Sequence, residues 1–511
     1  MYIECVSINH LAILNCLSMT LSPFVFILCA EVLANSFKVA ERENRITGVQ
    51  VAATAPRVSH LLFADDTLFF CKAEKQEVDV INQILQEYSR VSGQKVSFSK
   101  SSIVFGHKVE TETRNLIKEI TGITKEGGTG LYLGLPEAFI GSKIETLRFL
   151  EEKVAEKINS WSSKFLSQGG KEVMIKAVAM ALPTYTMSCF LLPKTLCTKL
   201  VSLFSNFWWK NQATGKGIHW KAWDKLTEPK AEGGLGFRDV EGFNLAMLGK
   251  QLWRMANKPE SLMARIFEAR YFPSKSPLEA SLGSRPSFAW RSIYEAKMLM
   301  QEGMRKEFGD GHTLRIAFDP WLPSKPPRPP RVQPGLNPYT LHISMIKDFD
   351  SDEWNWTAVK SIFVQEDIHL IGQVRPSFRP GKTRFSWIYN HNGDYSVKSG
   401  YCVWQKCFKK KISEEVLNPN LHSIFQALWK ANTSPKIKNF LWRGLSNCLA
   451  VGSNMTKKRL TKAGECPRCG SHDETVNHVL FHCSFARLVG ALSSLLYVLS
   501  SAIRVHLHEL C

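Results

Sequence analysis

The chain has 511 residues, 44% hydrophobic and 22% charged, which excludes a largely disordered protein and allows roughly three domains. Lysine and arginine number 65 against 46 acidic residues, a formal net charge of +19. That excess points to a polyanionic partner, nucleic acid before an anionic membrane surface. The 13 cysteines are too sparse for a disulfide scaffold, and Cys5, Cys16, Cys29, Cys71 and Cys189 stand singly in apolar or mixed segments. They read as buried free thiols of a reducing compartment, nuclear or cytoplasmic and not secreted.

Leu11 to Ala30 carries no charge and is about long enough to span a bilayer. Asn15, Ser18, Thr20, Ser22 and Pro23 interrupt it, and Glu4 but no lysine or arginine precedes it, unlike a secretory signal. A buried helix is expected instead of a membrane anchor. Ser22 and Pro23 are placed as cap and first turn of a helix bearing Phe24, Phe26, Ile27, Leu28, Val32, Leu33 and Phe37. It should pack under Phe63-Ala64-Asp65-Asp66, which lies between the apolar runs His60-Leu61-Leu62 and Thr67-Leu68-Phe69-Phe70. The runs read as strands and the tip as a hairpin turn. Asp65 and Asp66 there can hold Mg²⁺ against a triphosphate and a primer hydroxyl; the plainer reading is a surface turn that contains two aspartates.

Gln76 to Val91 reads as an amphipathic helix with Val80, Ile81, Ile84, Leu85 and Tyr88 on one stripe, ended by Ser92-Gly93. Val96, Phe98, Ile103, Val104 and Phe105 supply strand residues, and Leu131 to Pro136 reads as a short strand ending in a turn. From Lys143 the period turns helical through Ile144, Leu147, Leu150, Val154, Ile158 and Trp161. Further helical stripes follow at Val173 to Leu182 and from Leu196 to Trp208. Gly233-Gly234-Leu235-Gly236-Phe237 lacks the Lys-Ser/Thr and the preceding strand of a phosphate loop and reads as a tight turn. Asp319 to Pro338, crowded with prolines around Arg328 and Arg331, reads as an extended, semi-rigid linker, with a peptide-recognition ligand as the alternative.

Cys466-Pro-Arg-Cys469 is followed by His478 and Cys483. Zn²⁺ takes four N or S ligands in a tetrahedron, and a Cys-x-x-Cys turn brings two thiolates to one side of it. Four protein ligands leave no position for water, so the zinc is expected to be structural. His472 and His482 lie nearby, and His482 is the rival of Cys483; a redox dithiol is the alternative chemistry but leaves His478 and Cys483 unexplained. Between Trp429 and Arg468, nine basic residues oppose only Glu465. Of these, Lys436, Lys438, Arg443, Lys457, Lys458 and Arg459 are the candidate phosphate contacts. Trp429, Phe440 and Trp442 either stack on bases or form a small core under the zinc.

Together these segments resemble, over nearly the whole length, the reverse transcriptase reading frame of plant LINE-type (non-LTR) retrotransposons. Leu21-Ser22-Pro23-Phe24-Val25-Phe26-Ile27-Leu28-Cys29-Ala30-Glu31 is similar to the family's palm helix and Phe63-Ala64-Asp65-Asp66 to its metal-binding hairpin. Ser92-Gly93-Gln94-Lys95-Val96 resembles the next block and Tyr132-Leu133-Gly134-Leu135-Pro136 the primer grip. Gly233 to Phe237 and Lys250-Gln251-Leu252-Trp253-Arg254 are similar to the helical middle region. Gly393-Asp394-Tyr395-Ser396 and the Cys466 cluster are similar to the zinc-binding domain of reverse transcriptases. The resemblance implies RNA-directed DNA synthesis, with Asp65 and Asp66 as catalytic carboxylates. It implies an α+β fold: an unmatched segment 1–20, a partial right-hand palm 21–140, a helical thumb and connector 141–318, the proline-rich linker 319–338, and a basic zinc-binding domain with tail 339–511.

The family's site also needs an aspartate on a strand before the hairpin, yet Asp65 is the first aspartate of this chain. Only Glu4, Glu31, Glu41 and Glu43 precede it, none expected in a matching strand. The family's Gln-Gly-Asp-Pro turn is replaced by Leu17-Ser18-Met19-Thr20, and the nucleotide-gripping fingers are expected to be missing. The expectation is a truncated copy, inactive alone as a polymerase, with weak Mg²⁺ at Asp65 and Asp66 and a complete structural zinc site. Its partners would be RNA and DNA, with no membrane and no obligate protein partner; a non-enzymatic binding remnant or a decayed copy is the alternative.

Overall fold

The computed structural model describes residues 2–4, 7–9, 22–128, 130–139, 141–162, 166–210, 217–308, 314–348, 353–375, 384–409, 419–462, 464–470 and 473–492. Helices and small sheets make it α+β, as expected. The chain divides into two units, 1–146 with 249–395, and 147–248 with 396–511. No described helix is long and apolar enough to cross a membrane; of the charge-free segment, residues 10–21 lie outside the description.

In the first unit, helix α1 (Ser22–Arg42) starts at the Ser-Pro pair. Leu33, Phe37 and Ala40, at helical spacing, turn into the core. Strands β3 (His60–Phe63) and β4 (Asp66–Phe70) pair antiparallel and close on Phe63↔Asp66. The ring of Phe37 stacks on Phe69 at 4.4 Å and 14°, so the second half of α1 packs under the hairpin, whereas Phe24, Ile27, Leu28 and Val32 of the helix expected to be buried are exposed. Helix α2 (Lys75–Ser92) presents Val78, Ile81, Ile84, Leu85 and Tyr88 to the same core and ends at Gly93, φ +72°. Its buried Glu77 accepts backbone N–H bonds from Thr47 (3.1 Å) and Lys72 (2.9 Å), tying the loop after α1 to the exit of β4. A carboxylate holding two backbone donors is satisfied without a cation.

The N-terminal segment departs from expectation. Strand β1 (Tyr2–Glu4) is inserted in the main sheet between β4 and β6 (Ser102–Val104), in the order β3-β4-β1-β6. Tyr2 pairs with Phe70 and Val104, Ile3 with Phe69 and Ile103. Strand β2 (Ser7–Asn9) pairs with β5 (Lys95–Ser97). Glu4, expected to lack a strand context, closes a strand that lies beside the hairpin, opposite Ser102. Leu131–Tyr132 and Leu135–Pro136 form a hairpin where one strand was expected. The turn residues Leu133 (φ +49°) and Gly134 (φ +76°) supply the two positive φ values that let a two-residue loop match the strand twist.

The proline-rich stretch 319–338 does not stand free as a linker. Trp321 and Leu322 are fully buried with Trp354, Val359 and Phe363 in a separate core. Asp367, also fully buried, accepts from both Nη atoms of Arg328 (2.8 and 2.5 Å) and from the Arg331 backbone N–H (2.7 Å). Proline alone reads as a spacer, but the interspersed Trp, Leu and Arg make this stretch a wall of a packed module.

In the second unit, Leu147, Leu150, Val154, Ile158 and Trp161 are buried, four of them along the helix Arg148–Ser162. Leu196, Leu200, Phe204, Phe207 and Trp208 form the buried stripe of the helix Lys194–Trp209. The loop Gly233–Phe237 has every backbone N–H engaged: Gly233 with Lys230 O, Gly234 with Pro229 O, Leu235 and Phe237 with Leu226 O, Gly236 with Glu228 O. None is left for a phosphate, which settles the loop as a tight turn. Its carbonyls accept from cations instead: Lys221 Nζ to Gly233 O (2.9 Å) and Lys176 Nζ to Leu235 O (2.6 Å), with Trp442 Nε1 also on Gly233 O (3.1 Å). Burial pushes both lysines' pKa values down.

A Cβ on Gly234 would lie 2.0 Å from Glu228 O, whereas one on Gly106 meets nothing within 4 Å. Gly234→Ala should therefore cost about 3 kcal/mol or more in urea denaturation, and Gly106→Ala almost nothing. The hydrogen bonds from Arg328 hold the Asp367 carboxyl well below the usual carboxylate range. A depressed folded-state pKa contributes stability above the unfolded value of about 3.9 that is lost as pH falls below it. Asp367→Asn should destabilise by about 2–3 kcal/mol at neutral pH. It should also flatten the fall in melting temperature below about pH 4 that the unsubstituted chain shows.

Candidate functional site

The Cys466-Pro-Arg-Cys469 turn is closed by Gly470, whose φ is +67° and whose N–H donates to Cys466 O at 2.8 Å. Glu465 and Asp473 pair across its base as an isolated antiparallel bridge. The other two side chains flank a π-turn, His478–His482, in which Cys483 N–H bonds to His478 O at 2.8 Å. On an α-helix, residues five apart point about 140° away from each other. The wider π-turn bond between His478 and Cys483 themselves brings both side chains to one place, a use of π-turns common at functional sites.

The four donor atoms all lie within 4.8 Å of one another. Cys466 Sγ is 4.0 Å from Cys483 Sγ, and Cys469 Sγ is 3.3 Å from His478 Nε2. A tetrahedron of ~2.3 Å Zn–S and ~2.0 Å Zn–N bonds has S···S edges of about 3.8 Å and S···N edges of about 3.5 Å. The donor set therefore fits Zn²⁺ in chemistry and spacing, and a dithiol pair would not require the other two. His482 is exposed and outside the group of four; His472 lies outside the described residues. Between 464 and 492, among described residues, only Cys466, Val476, His478 and Cys483 are buried.

The carboxylate pair is different. Asp65 is exposed and Asp66 half-buried at the hairpin, and Ala64 between the strands holds φ +50°, a conformation L-residues seldom adopt. Among the described residues, the Cys/His tetrad alone groups three or more metal-ligating side chains.

The basic candidates fall into two sets. Lys436, Lys457 and Arg459 are exposed, as is Lys458. Lys438 donates to Trp429 O (3.0 Å), Arg443 to Cys448 O through Nε and Nη2 (3.1 and 3.0 Å), and Lys458 to His219 O (3.1 Å). These three are tied to backbone carbonyls, and burial pushes the Arg443 pKa down. The aromatics divide as well: Trp442 is fully buried, and Trp429 is half-buried with Lys230 Nζ 4.0 Å above its ring. Phe440 is 46% exposed. The carbonyl-binding lysines Lys176 and Lys221 gave no signal in the sequence, since nothing in composition separates a cation facing a carbonyl from one facing water.

Two family models match the chain in order: reverse transcriptase (RNA-dependent DNA polymerase) over residues 19–150 and zinc-binding in reverse transcriptase over residues 395–489. An uncharacterized mitochondrial protein of Arabidopsis thaliana is 45% identical over 152 residues, covering 30% of this chain and 99% of that protein. A putative ribonuclease H protein of the same plant is 27% identical over 350 residues, 66% of this chain. The chain spans about half of that relative's length, 54%. A second uncharacterized mitochondrial protein is 51% identical over 47 residues, 9% of this chain and 38% of its own length. With a reverse transcriptase segment bearing the aspartate hairpin and a zinc-binding segment enclosing the Cys/His tetrad, the chain belongs to the plant reverse transcriptase-type proteins.

Proposed function

We propose that the chain is a portion of a LINE-type RNA-directed DNA polymerase whose working part is a zinc-stabilised nucleic-acid-binding domain, and that it does not copy RNA by itself. The observation that carries this reading is the convergence of one ligand set. Four soft donors converge at Cys466, Cys469, His478 and Cys483, the one group of three or more metal-ligating side chains among the described residues. Phosphoryl transfer by two metals needs carboxylates that clamp both attacking and leaving oxygens. In this reading the exposed Asp65 and the half-buried Asp66 hold Mg²⁺ only weakly.

In this reading the main sheet with α1 to α2 is a partial polymerase palm, and the helices of 147–248 derive from thumb and connector. The zinc is structural, because its ligands fill the tetrahedron. RNA and DNA are the partners, held through exposed cations such as Lys436, Lys457 and Arg459. A reducing nuclear or cytoplasmic compartment suits thiolate ligands.

Purified chain should contain one zinc per molecule, and a chelator should remove it with loss of near-UV circular dichroism. Cys466→Ser should abolish retention while His482→Ala leaves it intact; equal loss in both would reassign the ligand set. With a primed RNA template and Mg²⁺, labelled dNTP should not be incorporated, although RNA is bound with an affinity that falls steeply with salt. Incorporation that Asp65→Ala abolishes would refute the inactivity.

A further inference from the structure

The helix Pro435–Leu445 in the second unit carries opposed faces. Asn439 and Trp442 are buried on one side; on the other Ile437 (48%), Phe440 (46%) and Leu441 (37%) are exposed, with the buried Gly444 one turn beyond Phe440. An exposed apolar stripe at spacing i, i+3, i+4 is unusual on a helix whose other face already meets a core. Lys436 sits four residues before Phe440, hence beside it on the surface. No acidic residue occupies the first turn, and Ser434 caps the helix by accepting from Ile437 N–H. An ammonium, a helix N-terminus and a half-exposed ring thus adjoin, in a stretch from Trp429 to Arg468 where Glu465 is the one acidic residue.

We propose that this face binds single-stranded nucleic acid, with a base stacked on Phe440 and flanked by Ile437 and Leu441, and an adjoining phosphate on Lys436. The proposal rests on the nucleic-acid reading above and adds to it the strandedness and the contact residues. Charge complementarity selects the occupant: an apolar stripe beside the exposed Lys436 ammonium suits a ligand that alternates flat apolar rings with anions, which an unpaired strand does and a duplex, with its bases stacked inside, does not. Trp429 and Trp442 cannot serve this role, being covered by Lys230 and buried in the core respectively.

The test uses the full chain, fluorescence anisotropy, a 20-nucleotide oligouridine and an RNA duplex of the same length. Phe440→Ala should weaken oligouridine binding about tenfold and leave duplex binding unchanged, and Phe440→Trp should restore it. Lys436→Gln should lower the slope of log affinity against log salt by about 0.7 for the single strand. Zinc content and melting temperature should not change in either variant. If Phe440→Ala weakens both ligands equally or neither, the stacking face is refuted while nucleic-acid binding stands; if the unsubstituted chain binds neither at low salt, the broader reading fails as well. If Phe440→Ala instead abolishes self-association in sedimentation with RNA binding intact, the stripe is a contact between copies and the proposal is overturned.

Discussion

Three thiols and one imidazole, from Cys466, Cys469, His478 and Cys483, are brought within 4.8 Å of one another. In the described residues from 464 to 492, Cys466, His478 and Cys483 are three of the four buried side chains, Val476 being the fourth. One valine is no hydrophobic core at roughly 25 cal/mol per Å² of buried apolar surface. In the proposed reading a bound zinc would take the place of that core, as in small domains that are folded with zinc and unfolded without it. The local backbone follows from this need: the Gly470 turn, the Glu465–Asp473 bridge and the π-turn each aim one or two donors at the same point.

Charge in the second unit follows a similar economy. The net charge of +19 suggests a surface prepared for phosphate, yet a share of the cations faces inward. Lys171 donates to Lys210 O, Lys176 to Leu235 O, Lys221 to Gly233 O, Lys438 to Trp429 O and Arg443 to Cys448 O. These groups satisfy carbonyls at helix ends and in the glycine loop, where an unmet acceptor would be costly. The cations left for a polyanion are those at the surface, such as Lys436, Lys457 and Arg459.

Much of this was legible in the sequence where a local rule governs. The aspartate hairpin, α2 with its Gly93 cap, the buried stripes of the long helices and the metal-ligand spacing each depend on residues close in the chain. The illegible parts depend on partners far away. Residues 2–4 look unrelated to the rest of the chain, and only sheet pairing with β4 and β6 gives Glu4 a strand context. Prolines from 320 to 338 look like a spacer until Asp367 is placed against Arg328 and Arg331. Trp429, Phe440 and Trp442 are alike in composition, and burial alone separates the core residue from the exposed one. His482 and Cys483 are adjacent, and only the spatial grouping, which includes Cys483, separates them.

X-ray absorption at the zinc edge of the purified full-length chain tests the central claim most directly. The account predicts three sulfur neighbours at about 2.3 Å and one nitrogen at about 2.0 Å, with no oxygen in the shell. A shell with two sulfurs, or with a water oxygen among four ligands, would contradict it.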